Sequence, residues 1–337
     1  MMVFAILLSA VVAWYITKLV SQHALTLRLV SLPNHRSSHD NPTPHGGGLG
    51  IVVASGFAGA WISLFCHWVT GGWLLVLANI IAVVGLRDDI DFLPARFRLM
   101  AQIFVCMALF LVLDDLPALS LPFAVTLNES LLLAFLLLCG VWWINLFNFM
   151  DGIDGLAASQ AIFMLLAAVV LAIWQQPALL SNPIWLWMVA LIAATSGFLL
   201  LNWPPAKIFM GDVGSTYLAF IIFALALFSI QAGWLSYSVW IVLSAVFVVD
   251  ATITLLRRMW RGERWHEAHR SHAYQRLSRY FDGHQHVTQI SIVINVLWLF
   301  PLAIACLLWS DWAWIYVMCA YMPLLAAVWV AKAGVSE

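Results

Sequence analysis

Acidic and amide side chains recur at short spacing in three segments that separate long apolar runs. Asp88 and Asp89 are adjacent at the end of one run, and Asp212 stands between glycines before another. The third segment repeats polar residues every three positions, at Asn145, Asn148, Asp151 and Asp154. If this segment is helical, the four side chains share one face. Such groups are costly between apolar runs unless they are used, and Mg²⁺ prefers oxygen ligands. The spacing therefore indicates phosphate chemistry assisted by a divalent cation.

Each acidic segment also has a structural explanation. Adjacent carboxylates repel each other unless a cation compensates. Besides a metal ion, the nearby candidates are Arg87, Arg96 and Arg98. Asp154 could cap the following helix, and Ser215 is expected to cap the helix that it begins. Asp250 lies within an apolar run, and we interpret it as a structural partner in the helix bundle.

A segment rich in histidine and arginine follows the ninth apolar run. His266, His269 and His272 recur at a spacing of three, and Arg270 lies between two of them. The many arginines nearby disfavour a bound metal and favour phosphate groups. Zinc binding and a basic belt attracted to anionic lipid are the alternatives.

Glycines precede two of the apolar runs. Three prolines and the triplet Gly46–Gly48 lie between residues 31 and 50. Glycines at a helix N-terminus expose backbone N–H groups, which favour anions; a connector whose glycines allow close helix packing is the alternative. The glycines on either side of Asp212 predict close approach of the backbone to a ligand.

The composition is that of a membrane protein. Hydrophobic residues make up 64% of the 337 residues and charged residues 9%, whereas soluble domains carry about 25% charged residues. Since a helical span needs about 20 apolar residues, we predict an all-α bundle of about 11 transmembrane helices in a single domain, 1–337. The predicted spans are 3–20, 47–66, 72–86, 98–113, 129–147, 156–174, 183–201, 215–231, 234–256, 287–309 and 311–331. No basic n-region precedes the first run, so no cleaved signal peptide is expected. The five cysteines show no metal-ligand spacing, and we expect no disulfides.

The charge distribution predicts the orientation. All 15 Lys and Arg residues lie in or beside alternate connections of this arrangement. The other connections carry only acidic residues, namely Asp114, Asp115, Glu129 and Asp311. The positive-inside rule then places the N-terminus outside and the polar segments on the cytoplasmic face.

These segments, in this order, resemble the polyprenyl-phosphate N-acetylhexosamine-1-phosphate transferases, the superfamily of WecA and MraY. The matching motifs are G-L-R-D-D, N-x-x-N-F-M-D-G-I-D-G-L, F-M-G-D-V-G-S and the histidine loop, spread from Pro33 to Arg279. The R-S-S-H run that begins at Arg36 and the H-R-S-H-A-Y-Q run look most like the O-antigen-initiating branch typified by WbpL. The proline-preceded histidine triplet of MraY is absent. Ser31 and His45 depart from the family pattern, which usually has Asp and a basic residue there.

The resemblance implies a role for each motif residue. Asp212 would be the principal Mg²⁺ ligand, with Asp89 beside the metal and Mn²⁺ as an alternative ion. Asp88 and Asp89 would be catalytic, Asp88 as the group that accepts the proton of the lipid phosphate. The substrate-binding residues would be Asn148, Asp151, Asp154, Phe209, which would stack on uracil, and Arg36, His39, His266, His269, Arg270 and His272.

The implied reaction is attack of an undecaprenyl-phosphate oxygen on the β-phosphorus of a UDP-N-acetylated sugar, with release of UMP. The donor would be of the GlcNAc, FucNAc or QuiNAc type, and the lipid-linked product would start O-antigen or a similar surface glycan. We expect a multi-pass protein of the bacterial inner membrane, without a nucleic-acid partner, and a homodimer is left open. The alternative is a transporter or flippase of an anionic glycolipid, which predicts charged groups along a path at mid-membrane depth.

Overall fold

The computed structural model of this chain describes residues 2–31, 42–113, 115–119, 126–263 and 270–335. Almost all of this structure is helical. The helices are α1 (Met2–Leu27), α2 (Leu49–Phe65), α3 (Val69–Ile90), α4 (Ala95–Phe110), α5 (Glu129–Phe149), α6 (Leu156–Gln175), α7 (Pro183–Asn202), α8 (Asp212–Gln231), α9 (Tyr237–Leu243), α10 (Ala245–Trp260), α11 (Ala273–Tyr280), α12 (His284–Ile294), α13 (Phe300–Leu308) and α14 (Ala313–Val330). A π-helical turn, Asn295–Leu299, joins α12 to α13. Two-residue strands, β1 (Val30–Ser31) and β2 (Thr43–Pro44), pair antiparallel.

Helix α8 is the centre of the bundle. It packs against α3 and α5 on two sides and contacts α2, α6 and α7 as well. Nearly all of its side chains are buried, and the residues from Leu218 to Ile230 are apolar or small. Because α8 is enclosed by other helices, the position of its N-terminus fixes where the acidic segments of its neighbours can meet.

Among the described residues, seven helices are long and apolar enough to cross a membrane, and the bent pair of α9 and α10 makes an eighth if it is one span. The chain is therefore a multi-pass, helical membrane protein. Each of the eleven predicted spans coincides with a helix or a broken helix, but α1, α2 and α4 are not among those eight. The count of eleven and the orientation stay predictions.

The predicted ninth span is broken at Ser244, where α9 and α10 meet at 71°. The break leaves carbonyl groups at the end of α9 without helical partners, and side chains from other helices bond to them. Gln160 donates to the Leu243 carbonyl at 2.9 Å and Tyr321 to the Ile241 carbonyl at 3.0 Å. Asn295, where the π-helical turn begins, in turn donates to Gln160 at 2.7 Å. These contacts fix the direction of α10, which carries Asp250.

Candidate active site

One pocket, with a cavity of about 360 Å³, receives residues from all five polar segments. The first segment contributes Ser31 and His45, and the end of α3 contributes Asp89. Asn148 at the end of α5 and Asp151, Gly152, Ile153 and Asp154 in the turn after it also line the pocket. The remaining lining residues are Asn202 and Phe209–Asp212 before α8, Gln275 at the end of the H-R-S-H-A-Y-Q run, and His284 beyond it. The sequence-based prediction that these segments lie at one end of the bundle is confirmed.

The N-terminus of α8 is capped by Asp89 from α3. The backbone N–H groups of Asp212 and Val213 donate to the two carboxylate oxygens of Asp89, at 2.8 and 3.0 Å. Gly85 makes this contact possible, because a Cβ there would lie 2.5 Å from the Asp212 carbonyl oxygen. Gly211 has φ +77° and no room for a side chain beside the Asp89 carboxylate. The catalytic and metal-binding roles of Asp89 stay predictions, since a carboxylate has about four lone-pair sites and two are used here.

The expected cap of α8 by Ser215 is wrong. The Ser215 hydroxyl donates to the carbonyl of Gly211, the residue just before α8, at 3.1 Å, and no side chain of α8 caps its first turn. The hydroxyl also accepts a hydrogen bond from Asn148 at 2.9 Å, and the Asn148 amide donates to Asp212 Oδ1 at 2.8 Å. Asn148 therefore fixes the orientation of the Asp212 carboxylate from α5.

Arg98 of α4 bridges two carboxylates of the site. Its Nη1 lies 2.7 Å from Asp88 Oδ2 and 3.4 Å from Asp212 Oδ2. The other oxygen of Asp88 accepts from the Leu93 amide at 2.7 Å. Sequence reasoning left Arg98 among three equivalent arginines, and only the packing of α4 against α3 distinguishes it.

Arg87 has a different partner, although it is adjacent to the paired acids. It forms an ion pair with Asp91 one turn further along the chain, at an exposed site. This contact lowers the pKa of Asp91. Arg87 and Asp91 do not line the pocket, and they provide matched controls for the charged residues of the site.

The Asp151 carboxylate lies in the cavity wall. Helix α5 ends at Phe149, so Asp151 and Asp154 lie in a turn, not on the extended helical face considered from the sequence. Across the residues that the structure describes, no group donates a hydrogen bond to the Asp151 side chain, which lines the cavity. Burial, and then the negative charges of Asp212, Asp89 and Asp154, raise its pKa well above the usual range.

Asp154 is held on several sides. Its Oδ2 accepts from the Ala206 amide at 3.0 Å, and its Oδ1 lies 3.1 Å from Nδ1 of His284. Thr288, one turn after His284, donates to the backbone carbonyl of Asp154 at 2.9 Å. Asn202 accepts from the next amide, that of Gly155, at 3.0 Å. Sequence reasoning missed both His284 and Asn202, because neither lies within one of the five motifs.

The histidine loop is anchored by Asp250, which confirms the interpretation of this residue as a structural partner. Its carboxylate accepts from the backbone N–H groups of Ala273 and Tyr274, each at 2.9 Å, and lies 3.3 Å from His272 Nδ1. His272 is 4% exposed, so a substrate contact by its side chain stays a prediction. Arg270 is exposed, and its carbonyl accepts from Arg279 at 3.0 Å.

Helix α11 supports the turn that carries Asp151. The Tyr274 hydroxyl donates to the Phe149 carbonyl at 2.8 Å. A Cβ at Gly152 would lie 2.0 Å from this hydroxyl, so the turn and the phenol are in direct contact. Burial, with the charges of Asp250 and Asp151, raises the Tyr274 pKa well above its usual value. Of the other predicted substrate residues, Arg36, His39, His266 and His269 lie outside the described residues.

The glycines serve packing between protein segments. The amides of Gly47 and Gly48 donate to the carbonyls of Phe209 and Met210, each at 2.9 Å. A Cβ on Gly48 would lie 2.2 Å from the Cα of Gly214. The expectation that this triplet offers its amides to an anion is therefore wrong for Gly47 and Gly48, and the packing alternative is correct. A Cβ on Gly211 or Gly214 would also meet protein atoms. Close approach of this backbone to a ligand stays a prediction, and Gly211 lines the cavity.

The oxygen groups of the pocket suit a hard divalent cation. Asp89, Asp151, Asp154 and Asp212 line one cavity. Burial, and then the charges of the other three acids, raise the pKa of Asp151, and a cation would relieve that repulsion. Within the described ranges, no three acidic, histidine or cysteine side chains form a closed metal cluster. Mg²⁺ does not require one, because it is usually held by one or two carboxylates, water and substrate phosphates.

Known proteins resemble this chain over most of its length. The pattern of glycosyl transferase family 4 matches residues 72–230, from α3 to α8. A probable undecaprenyl-phosphate N-acetylglucosaminyl 1-phosphate transferase of Bacillus subtilis is 28% identical, over 97% of this chain and 91% of its own length. A decaprenyl-phosphate N-acetylglucosaminephosphotransferase of Mycobacterium leprae is 26% identical, over 87% and 79% respectively. A phospho-N-acetylmuramoyl-pentapeptide-transferase of Mycolicibacterium gilvum is 31% identical over 67% of this chain and 72% of its own length.

The fold, the acid-lined pocket and these similarities define a membrane-embedded transferase of phosphorylated sugars. The chain belongs to glycosyl transferase family 4, the WecA/MraY superfamily.

Proposed function

We propose that this protein transfers an N-acetylated sugar-1-phosphate from a UDP-sugar to undecaprenyl phosphate and releases UMP. The observation that carries the proposal is the convergence of the acidic motifs on one pocket at one end of the bundle. The B. subtilis and M. leprae relatives support it, since both are named for the transfer of N-acetylglucosamine phosphate to a polyprenyl phosphate. Donors of the GlcNAc, FucNAc or QuiNAc type are the first to test.

The site is proposed to hold Mg²⁺, with Mn²⁺ as an alternative. Asp212, oriented by Asn148, and Asp151, which lines the same cavity, are the residues best placed to hold it. Asp89 is a further ligand through its remaining lone pairs. When bound, the ion would offset the charge of the diphosphate and of the leaving UMP.

The protein's own groups orient the reactants. Phe209 at the cavity wall offers an aromatic face for uracil. Arg98 holds Asp88 and Asp212 in fixed relation, so that a phosphate near Asp88 faces the donor diphosphate. Asp88 receives the proton that a minority of lipid phosphate still carries, since the second pKa of a phosphate monoester is about 6. In this scheme most of the rate comes from positioning and electrostatics.

The histidine loop is proposed to bind the sugar diphosphate. Its predicted contacts are Arg270, His266, His269 and His272, with Arg36 and His39 from the first segment. The anchoring of α11 by Asp250 supports this proposal, because it brings the start of the loop helix to the pocket beside Gln275. These cations would balance the negative charge that the donor brings.

In the cell, we place this pocket at the cytoplasmic face of the bacterial inner membrane, with eleven spans and the N-terminus outside. The basic residues support this orientation, because they lie in the connections that supply the pocket. The lipid-linked product would start O-antigen or a related surface polysaccharide. A transporter is disfavoured, since the acidic residues of the pocket gather at one end of the bundle and not along a path.

The test is release of UMP by purified protein given undecaprenyl phosphate, Mg²⁺ and each UDP-sugar in turn. We expect Asp212→Ala to abolish release and Asp91→Asn, a change at the same end of the bundle but outside the pocket, to leave it unchanged. Failure of the unmodified protein to release UMP from any of these donors would refute the proposal. Movement of a glycolipid across vesicles without UMP release would favour the transporter instead.

A further inference from the structure

An aspartate–histidine pair outside the recognised motifs lies in the wall of the pocket. His284 is the first residue of α12, and its Nδ1 is 3.1 Å from Asp154 Oδ1. The backbone nitrogen of Asp154 is also 3.4 Å from Nδ1. A ring nitrogen carries either a proton or a lone pair, so only one of these contacts is a hydrogen bond. The carboxylate is closer and the stronger acceptor, which assigns the bond as Nδ1–H to Oδ1.

The orientation of this pair is fixed by the backbone around it. Thr288 donates to the Asp154 carbonyl, Asn202 accepts from the Gly155 amide, and the Ala206 amide donates to Asp154 Oδ2. Asp154 is 8% exposed. A carboxylate held in this way determines both the tautomer and the direction of the imidazole that donates to it.

The second ring nitrogen of His284 is available to a ligand. The His284 side chain is 16% exposed and lines the cavity. In the part of the chain that the structure covers, Nε2 has no bonding partner. With the proton on Nδ1, Nε2 presents a lone pair and accepts a hydrogen bond.

We propose that His284 is a donor-binding residue, whose Nε2 accepts a hydrogen bond from an O–H or N–H group of the nucleotide-sugar. This inference rests on the proposed use of a nucleotide-sugar donor. A hydroxyl or N–H group fits better than a phosphate oxygen, because Nε2 is an acceptor and the carboxylates of Asp151 and Asp154 line the same pocket. Asp154 acts here through His284, as a positioning residue.

Two substitutions separate contact with the ligand from support of Asp154. His284→Asn places an amide N–H near the position of Nδ1 and removes Nε2, so the bond to Asp154 is kept and the ligand contact is lost. His284→Gln places a polar group near the position of Nε2 and loses the bond to Asp154. His286→Asn, an exposed change on the same helix, is the control.

The measurement is the KM for UDP-GlcNAc and for undecaprenyl phosphate in the UMP-release assay, with thermal unfolding alongside. We expect His284→Asn to raise the KM for the UDP-sugar about tenfold, as loss of one hydrogen bond in a shielded site predicts. The KM for the lipid and the unfolding temperature should stay at the unmodified values. His284→Gln should retain a donor KM closer to that of the unmodified protein.

An unchanged donor KM in His284→Asn would overturn the inference. A rise in the KM for the lipid alone would also overturn it. So would an equal loss of turnover and stability in His284→Asn and His284→Gln, because His284 would then only support Asp154. If the unmodified protein turns over no donor, the proposed function fails, and calorimetric titration with UDP and UDP-GlcNAc decides the inference separately. Weaker binding of either ligand by His284→Asn would then support it, and equal or absent binding would overturn it.

Discussion

Removing the hydroxyl of Tyr274 should lower turnover about tenfold, although Tyr274 does not line the pocket. It donates to the carbonyl of Phe149, the last residue of α5. That carbonyl has no partner within its own helix, and Tyr274 is 4% exposed, so water does not replace the hydroxyl. Tyr274→Phe removes one oxygen atom and leaves the ring in place. The expected result is an unsatisfied carbonyl at the start of the turn that carries Asp151.

A buried acceptor without a partner costs about 1–3 kcal/mol. A change of about 1.4 kcal/mol corresponds to a factor of ten. If the turn relieves this cost by moving, the Asp151 carboxylate moves with it, because Gly152 touches the phenol directly. We therefore expect UMP release by Tyr274→Phe to fall about tenfold, together with a lower unfolding temperature.

Tyr280→Phe is the matched control, because Tyr280 lies on the same helix and is 81% exposed. It should change neither turnover nor stability. Equal turnover in Tyr274→Phe and Tyr280→Phe would refute the link between the phenol and the Asp151 turn. Lower stability with unchanged turnover would show that the hydrogen bond supports the fold and not the site.

Three further predictions follow from the contacts of the site. Gly48→Ala should destabilise the protein by about 1–3 kcal/mol, as overpacking does, because the added Cβ would meet the backbone of α8. Gly72→Ala, whose Cβ would meet open space, should leave stability unchanged. Equal unfolding temperatures for the two variants would contradict this prediction. Arg98→Gln should lower UMP release at least tenfold, since the two carboxylates that Arg98 bridges are then uncompensated. Arg87→Gln removes the cation of an exposed ion pair and should leave the rate unchanged. Similar rates of UMP release in both variants would count against the bridge. Asp151→Asn should stabilise the metal-free protein at neutral pH while lowering UMP release, because the raised pKa shows that the ionised carboxylate is disfavoured in the folded state. The gain should disappear in acid, below the pKa of the unfolded chain, where Asp151 is protonated in both states; thermal unfolding across this pH range checks the sign, and a gain that is constant with pH would refute it.

The general position of the site could be predicted from the sequence because membrane topology restricts it. Alternate connections of a polytopic bundle lie on the same side, so charges in those connections must be near one another in depth. Asn148, Asp151, Asp154, Phe209 and Asp212 all meet in the pocket for this reason. The same constraint gave the positions of the helices, since long apolar runs without interruption have few alternatives in lipid.

The partners of these residues could not be predicted, since they depend on how helices rotate and cross. The adjacent acids have similar local sequence, yet Asp89 caps α8 and Asp88 bonds to Arg98. The bend at Ser244 has no proline or glycine to mark it, and its carbonyls are satisfied from other helices. His284 lies just past the last motif, and only the packing of α12 against α6 brings it to Asp154.

The structure also changes the explanation of how an anionic substrate could be held. A helix N-terminus attracts anions, but the N-terminal amides of α8 bond to Asp89 and those of α11 bond to Asp250. Both positive ends are thus balanced by the protein's own carboxylates. Asp151 and Asp212 place two further carboxyl groups at the same end of the bundle. We therefore expect a diphosphate to bind together with compensating positive charge, such as a divalent cation, and binding of UDP to the purified protein should depend strongly on added Mg²⁺.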